Sequence, residues 1–279
     1  MGLNGLEKMP IIRVFPRQTK MTPIDGYSFV GDPPMVRPEA DGVHVDCTFT
    51  WDKPIAERLK MAWGQYYPTV KLGGCAYDDP CDGFIPGRYI RRGVTFTSRG
   101  CNNQCPWCLV WQREGKLREM PIIAGNVEQS NNLLQCSHGH IRNVFSMLKK
   151  QRAIELAGGL DSRLITDDVA DQIRSLRIKQ IFLAADTKQS LKPLERAVKK
   201  LNLSHGRVRC YALLAFDGET ISDAEERLRT IYEIGCLPFA QLYQPPDRWI
   251  EYSKDWRDLA RTWSRPAAMK AVMKHAETI

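Results

Sequence analysis

From about residue 94 onward, the hydrophobic positions fall into two alternating textures. Short, nearly continuous apolar runs such as RAIELAGG, KQIFLAAD, RVRCYALLAF and CLPFAQLY predict buried strands. Between them lie stretches whose apolar residues return every three or four positions, and these predict helices. SHGHIRNVFSMLKKQ, for example, places Ile141, Val144, Phe145 and Leu148 on one face. TDDVADQIRSL, SLKPLERAVKKLN and SDAEERLRTIYEIG repeat the pattern. Start and stop residues agree with it: Ser137 and Thr166 are placed as N-caps, Ser222 with Glu225 has capping-box spacing, and Gly235 stands at a helix stop. With GVTFTS and GNVEQSN as the first two strands, the chain holds six β/α steps. Apolar strands separated by amphipathic helices predict an α/β fold with a helix-covered parallel sheet, expected to curl as a partial (β/α)6 TIM-like barrel.

Residues 1–92 have a different texture, with Pro- and Gly-rich links such as GDPPMVRP and GGCAYDDPCDGFIPG. One strand-helix-strand unit stands out, GVHVDCTFT, DKPIAERLKMAW and TVKLGG, which predicts a small Rossmann-like half-domain. One such unit is too small to bury a core alone, so it is expected to pack against the barrel. The expected organisation is this appendage at 1–92, the core barrel at 93–245 and a C-terminal aromatic and basic segment at 246–279.

Composition narrows the function classes. No stretch approaches the about eighteen consecutive apolar residues of a membrane helix, and the first residues lack a signal-peptide core, so a cytoplasmic protein with no membrane partner is expected. In that compartment nine cysteines serve as thiols or metal ligands, since an odd number fits a complete disulfide framework poorly. The formal charge of +8 fits a polyanionic partner, and equally an ordinary soluble surface.

Three of the cysteines, Cys101, Cys105 and Cys108, sit within eight residues directly after the first predicted strand. Three clustered thiols leave a tetrahedral zinc site one ligand short, which His138 or His140 in CSHGH would have to supply. The other reading comes from the motif itself. The stretch CNNQCPWC, with Trp107 before the last cysteine, resembles the CxxxCxxC loop of the radical S-adenosylmethionine (radical SAM) superfamily, and the order of features to about residue 245 resembles its members with a cobalamin-binding-type N-terminal domain and their methylthiotransferase relatives. This resemblance implies that Cys101, Cys105 and Cys108 hold three irons of a 4Fe-4S cluster. S-adenosyl-L-methionine (SAM) would occupy the fourth iron and be cleaved reductively to a 5'-deoxyadenosyl radical, with electrons from a donor such as flavodoxin or ferredoxin.

The same resemblance implies SAM contacts. Trp107 lies inside the motif. Ser130 and Asn131, followed by Asn132, end the second strand where relatives approach the SAM amino group, although the usual acidic residues are absent there. Asp161 and Arg163 follow the third strand, and an arginine fork suits the SAM carboxylate, with a surface Arg beginning the next helix as the alternative. Asp186 ends the fourth strand at the place of a ribose-binding carboxylate, and AFDGET resembles the family's GxPGET turn with Ala215 and Asp217 in place of Gly and Pro. VKLGG resembles an element of cobalamin domains, but no DxHxxG stretch occurs, so a leftover of that domain without bound cobalamin is expected. Cys75 and Cys81 lie in a loop where a second cluster would fit, yet they form no CxxC; Cys210 and Cys236 fall inside apolar strands.

In the C-terminal segment, Trp249, Tyr252, Trp256 and Trp263 alternate with Arg and Lys. Rings among cations suit stacked bases and phosphates, and they suit the sealing of a barrel as well. The sequence thus leads to a radical SAM enzyme acting on a nucleotide or nucleic acid, with a small metabolite or peptide as the alternative substrate and a non-catalytic metal-binding protein as the alternative class.

Overall fold

The apolar runs of the second half pair side by side in the order in which they occur. In the computed structural model, which describes residues 10–78 and 83–276, the chain divides into two units, Met1–Val94 and Thr95–Ile279. The first contains β1 (Ile11–Phe15), β2 (Ser28–Val30), β3 (Gly42–Asp46), α1 (Lys53–Gly64) and β4 (Val70–Gly73). These strands form one parallel sheet in the order β2-β1-β3-β4. The expectation of a single strand-helix-strand unit without its own core is corrected here. Ile12 and Val14 of β1 alternate inward and join Val43, Val45, Leu59 and Trp63 in a core belonging to this unit alone. Two links tie the Pro-rich chain down onto that core: Trp63 Nε1 donates to Gly31 O at 3.1 Å and Tyr67 Oη to Pro38 O at 2.7 Å.

The second sheet begins at the junction with β5 (Val94–Thr95). After it come β6 (Ser98–Arg99), α2 (Val110–Arg113), β7 (Arg118–Glu119), β8 (Val127–Glu128), α3 (His138–Lys149), β9 (Ile154–Leu160), α4 (Asp167–Arg174), β10 (Ile178–Ala184), α5 (Leu191–Leu201), β11 (Val208–Leu214), α6 (Ile221–Glu233), β12 (Leu237–Leu242), α7 (Lys254–Thr262) and α8 (Pro266–Ala276). Its six-stranded sheet runs β5-β8-β9-β10-β11-β12, with parallel pairing from β8 to β12. Sequential parallel order with a helix in each crossover is the α/β architecture the periodicities predict. The caps follow: Ser137 Oγ accepts from His140 N, Thr166 Oγ1 accepts from Val169 N, and Gly235 takes φ +106° past α6. The N-cap of α6 is Thr220 and not Ser222, because Thr220 Oγ1 accepts from Asp223 N at 3.2 Å and starts the helix one residue before Ser222.

The first predicted strand is broken. Val94 and Thr95 pair in the main sheet, whereas Ser98 and Arg99 leave it and pair antiparallel with Arg118 and Glu119. A side chain causes the exit: Ser130 Oγ accepts both Thr97 N (3.0 Å) and Ser98 N (2.9 Å), taking the place of a ladder carbonyl. No helix among the described residues is long and apolar enough to cross a membrane.

Candidate functional site

The exit of β6 from the sheet delivers the chain into the cysteine loop at Gly100, whose φ is +75°. A Cβ at this glycine would stand 2.2 Å from Lys116 O, so no other residue fits the turn. Loop residues 101–105 have no ladder partners, and amide side chains hold them instead. Gln135 Oε1 accepts Asn102 N at 2.9 Å while its Nε2 donates to Asn103 Oδ1, and Asn102 Oδ1 accepts Leu117 N. Asn103 Nδ2 reaches Asp161 Oδ2 at 3.2 Å, and Cys108 N closes a turn onto Cys105 O at 3.0 Å. The abundance of amides in CNNQC and QSNNLLQ therefore has a mechanical reason.

Cys101, Cys105 and Cys108 are half-buried and carry no disulfide. Burial pushes the Cys105 and Cys108 thiols up; the negative charges of neighbouring thiolates and of Asp186 add to this, and Arg163 opposes it at Cys105. A cation bound at Cys105 and Cys108 would displace their protons to solvent. Donors to sulfur are already in place: Asn103 N lies 3.4 Å and Asn132 Nδ2 3.7 Å from Cys101 Sγ. Among the described residues, no three or more His, Cys, Asp or Glu side chains are grouped to hold a single metal ion. His140 is committed elsewhere, with Nε2 2.8 Å from Thr97 O and Nδ1 3.6 Å from Glu119, so it does not complete a zinc knuckle.

The other sequence-derived residues divide into two groups. Arg163 and Asp186 are near enough to act electrostatically on the thiols, Asp161 bonds to Asn103 of the loop, and Trp107 hydrogen-bonds Asp186. Asp161 takes the Arg163 guanidinium in a fork, Oδ1 from Nε at 2.9 Å and Oδ2 from Nη2 at 2.6 Å, and this pairing holds the Asp161 carboxyl below its usual range against the opposing cost of its burial. Arg163 is still 61% exposed. Burial raises the Asp186 carboxyl, while the Leu213 N–H at 2.9 Å, the Arg227 charge and the Trp107 side chain pull it back. Trp107 meets Phe216 edge-on at 5.4 Å, and Phe216 meets Tyr243 at 4.9 Å, so an aromatic wall flanks the loop. Ser130 and Asn131 are instead used inside the fold. Ser130 is 1% exposed with its hydroxyl occupied as described, and Asn131 Nδ2 donates to Glu114 Oε2 at 2.6 Å.

Four residues that the sequence reading passed over complete the surroundings. Glu128, at the end of β8, is wholly buried. Its Oε1 accepts from Thr97 Oγ1 and Ser130 N, both at 3.1 Å, and from Ser130 Oγ, while Oε2 has no hydrogen-bond partner among the described residues; burial raises its carboxyl above the ordinary range. Glu114 accepts Gly100 N at 3.0 Å and lies 3.6 Å from the Arg99 guanidinium. Arg227 is buried and fastens the AFDGET turn, donating to Ala185 O at 2.9 Å, Leu213 O at 2.6 Å and Glu219 at 2.6 Å, while Glu219 Oε2 accepts Ala215 N. That support holds Ala215 at φ +61°, a left-handed conformation that favours glycine. An acid three residues before the amides in VEQSNN was the available signal for Glu128; nothing marked Arg227, whose partners are distant in sequence.

The remaining cysteines are set apart. Cys210 and Cys236 are fully buried, the latter pushed up to about 12 by burial. Cys136 is buried and raised to about 11, and Cys75 is half-buried, while Cys81 lies outside the described residues. Trp263 of the C-terminal segment is 1% exposed and belongs to the core, packed edge-on to Tyr232, whereas Trp249 is 62% exposed. No protein-family model matches the chain, and no curated protein matches it.

Proposed function

We propose that this protein is a radical SAM enzyme whose 4Fe-4S cluster is held by Cys101, Cys105 and Cys108 and whose substrate is a nucleotide or nucleic acid. The observation that carries the proposal is the gathering of the Asp161–Arg163 pair, Asp186 and Trp107 around three half-buried thiols beyond the carboxyl ends of a sequentially ordered parallel sheet, the edge at which such folds hold ligands. A curl of that sheet into a partial (β/α)6 barrel belongs to the same proposal. The donor set suits a cluster, which takes each thiolate on a different iron and does not require three sulfurs around one point. When bound, cluster and SAM supply reductive cleavage of the sulfonium and hydrogen-atom abstraction from the substrate.

The chain's own residues have definite tasks in this scheme. Asn103 N and Asn132 Nδ2 stabilise negative charge on Cys101 sulfur, which tunes the ease of reduction. Arg163, oriented by Asp161, offers its remaining N–H donors to a carboxylate. Asp186 has acceptor capacity beyond the Leu213 N–H for a ribose hydroxyl. The Trp107, Phe216 and Tyr243 rings exclude water from one side. Electrons come from a flavodoxin- or ferredoxin-type donor, and the protein works in the cytoplasm.

Anaerobically purified protein should be brown with about four irons per chain, and replacing any one of the three loop cysteines by Ala should abolish iron uptake and SAM cleavage together. Stoichiometric zinc without iron uptake overturns the proposal. Mass analysis of reactions containing reductant, SAM and a panel of nucleotides and oligonucleotides then tests the substrate; modification of a peptide or small metabolite alone would overturn the nucleotide assignment.

A further inference from the structure

The first unit holds a cavity of about 830 Å3 that the proposed chemistry does not use. It lies at the N-terminal ends of β1 and β2, and its volume falls within the range of ordinary small-molecule sites. Among the described residues, five cations line it, Arg13, Lys20, Arg88, Arg91 and Arg92, with one acid, Asp25. The concentration is local, since residues 1–94 carry twelve Lys or Arg against eleven Asp or Glu. Asp25 is already used: its carboxylate pairs with Arg13 and accepts Tyr27 N at 2.9 Å. The other four cations make no ion pair among the described residues. Arg91 donates to backbone oxygens, Lys20 O at 2.8 Å and Arg92 O at 3.4 Å, contacts that orient the guanidinium and leave its charge uncompensated. Arg88 lies over the Tyr89 ring at 5.3 Å. Like charges repel around a partly enclosed space, and a multiply charged anion relieves that repulsion. Tyr27, Ile24 and Pro23 add apolar surface for an organic body beside the anion.

We propose that this cavity binds the phosphate groups of a nucleotide, either free or as a unit of a nucleic-acid strand. Arginine forks match phosphate oxygens in pairs, and the apolar lining accepts the base or sugar. This inference does not rest on the reading of the cysteine loop, and Cys101→Ala should bind the same ligand equally well.

The test is calorimetric titration of the full-length protein at low salt with three probes: inorganic pyrophosphate, ATP and single-stranded oligonucleotides of increasing length. Saturable binding of pyrophosphate and ATP is expected. The double variant Lys20→Ala/Arg92→Ala, which removes two exposed cations, should weaken it by about tenfold or more, the loss of a charge-assisted contact. Asp25→Asn, which releases Arg13 from its partner, should tighten binding, a gain that a purely structural role for these residues would not produce. Arg58→Ala, on an exposed ion pair with Asp32 away from the cavity, should change nothing. Affinity that is flat with oligonucleotide length identifies a free nucleotide as the ligand; affinity that rises with length and falls steeply with salt identifies a strand. Failure of the wild-type protein to bind any probe at low salt overturns the proposal, and so does a double variant of unchanged melting temperature that binds as tightly as wild type.

Discussion

Ser130→Ala removes one oxygen from the point where the chain leaves the main sheet for the cysteine loop. In the native fold that oxygen accepts Thr97 N at 3.0 Å and Ser98 N at 2.9 Å and bonds to Glu128, and both backbone donors belong to wholly buried residues. Its removal leaves two buried N–H groups without an acceptor, at about 1–3 kcal/mol each by mutational experience. Partial relaxation brings the expected loss to about 2–4 kcal/mol, a large part of the about 5–15 kcal/mol that stabilises a typical domain. For a unit of this size each kcal/mol lowers the melting temperature by about 2–4 °C, so a fall of roughly 4–16 °C is expected. Urea unfolding followed by far-UV circular dichroism measures the change, with Ser175→Ala as control because its hydroxyl is exposed and bonds only to a helix carbonyl. Thr97 and Ser98 stand three and two residues before Gly100, where the cysteine loop begins, so the variant should also lose iron more readily than wild type. A loss below about 0.5 kcal/mol, the level of an ordinary surface change, would refute the claim that this hydroxyl turns the strand.

Glu128 supplies a pH test. Burial raises its folded-state carboxyl, so the native protein holds a proton that the unfolded chain releases near the ordinary glutamate value of 4.5; stability from this group is full below that pH and is lost as pH rises towards the raised value. Glu128→Gln, which mimics the protonated form, should become progressively more stable relative to wild type above pH 4.5 in urea titrations; a pH-independent difference would refute the raised carboxyl. Arg163→Ala should leave iron content intact and weaken SAM binding by about 1.5–3 kcal/mol, with Arg163→Lys recovering only part because the ammonium lacks the fork; unchanged affinity returns Arg163 to the role of a surface partner for Asp161. Trp263→Ala should cost about 3–5 kcal/mol of stability. Trp249→Ala should lower the melting temperature far less than Trp263→Ala and, where a base stacks on it, lower nucleic-acid affinity by about 1–3 kcal/mol, measured by fluorescence anisotropy.

Local signals were legible wherever neighbours in sequence are also neighbours in space. The apolar runs of β9 to β12, the faces of α3 to α6, the caps Ser137 and Thr166 and the stop at Gly235 all rest on interactions within a few residues. The three thiols of the loop were legible for the same reason. Two elements escaped because their signals are weak on their own scale: β1 and β2 are five and three residues long and lie among Pro-rich links, so their pairing shows only once β3 is beside β1.

By itself, then, the sequence determined the alternation of strand and helix, the parallel character of the sheet and the grouping of Cys101, Cys105 and Cys108, since periodicity and spacing are properties of the covalent chain. Tertiary structure alone decided which polar groups stand at the thiols and which serve the scaffold. The resemblance places Ser130 among the ligand contacts, whereas packing makes it the acceptor that breaks the first strand. Arg227, unmarked in α6, reaches three segments to hold the turn at Ala215. Trp263 alternates with cations in sequence as Trp249 does, yet one is sealed in the core and the other is largely exposed. In each case the role depends on partners remote along the chain, and a buried polar atom is assigned its function by whichever unsatisfied group the fold brings within about 3 Å of it.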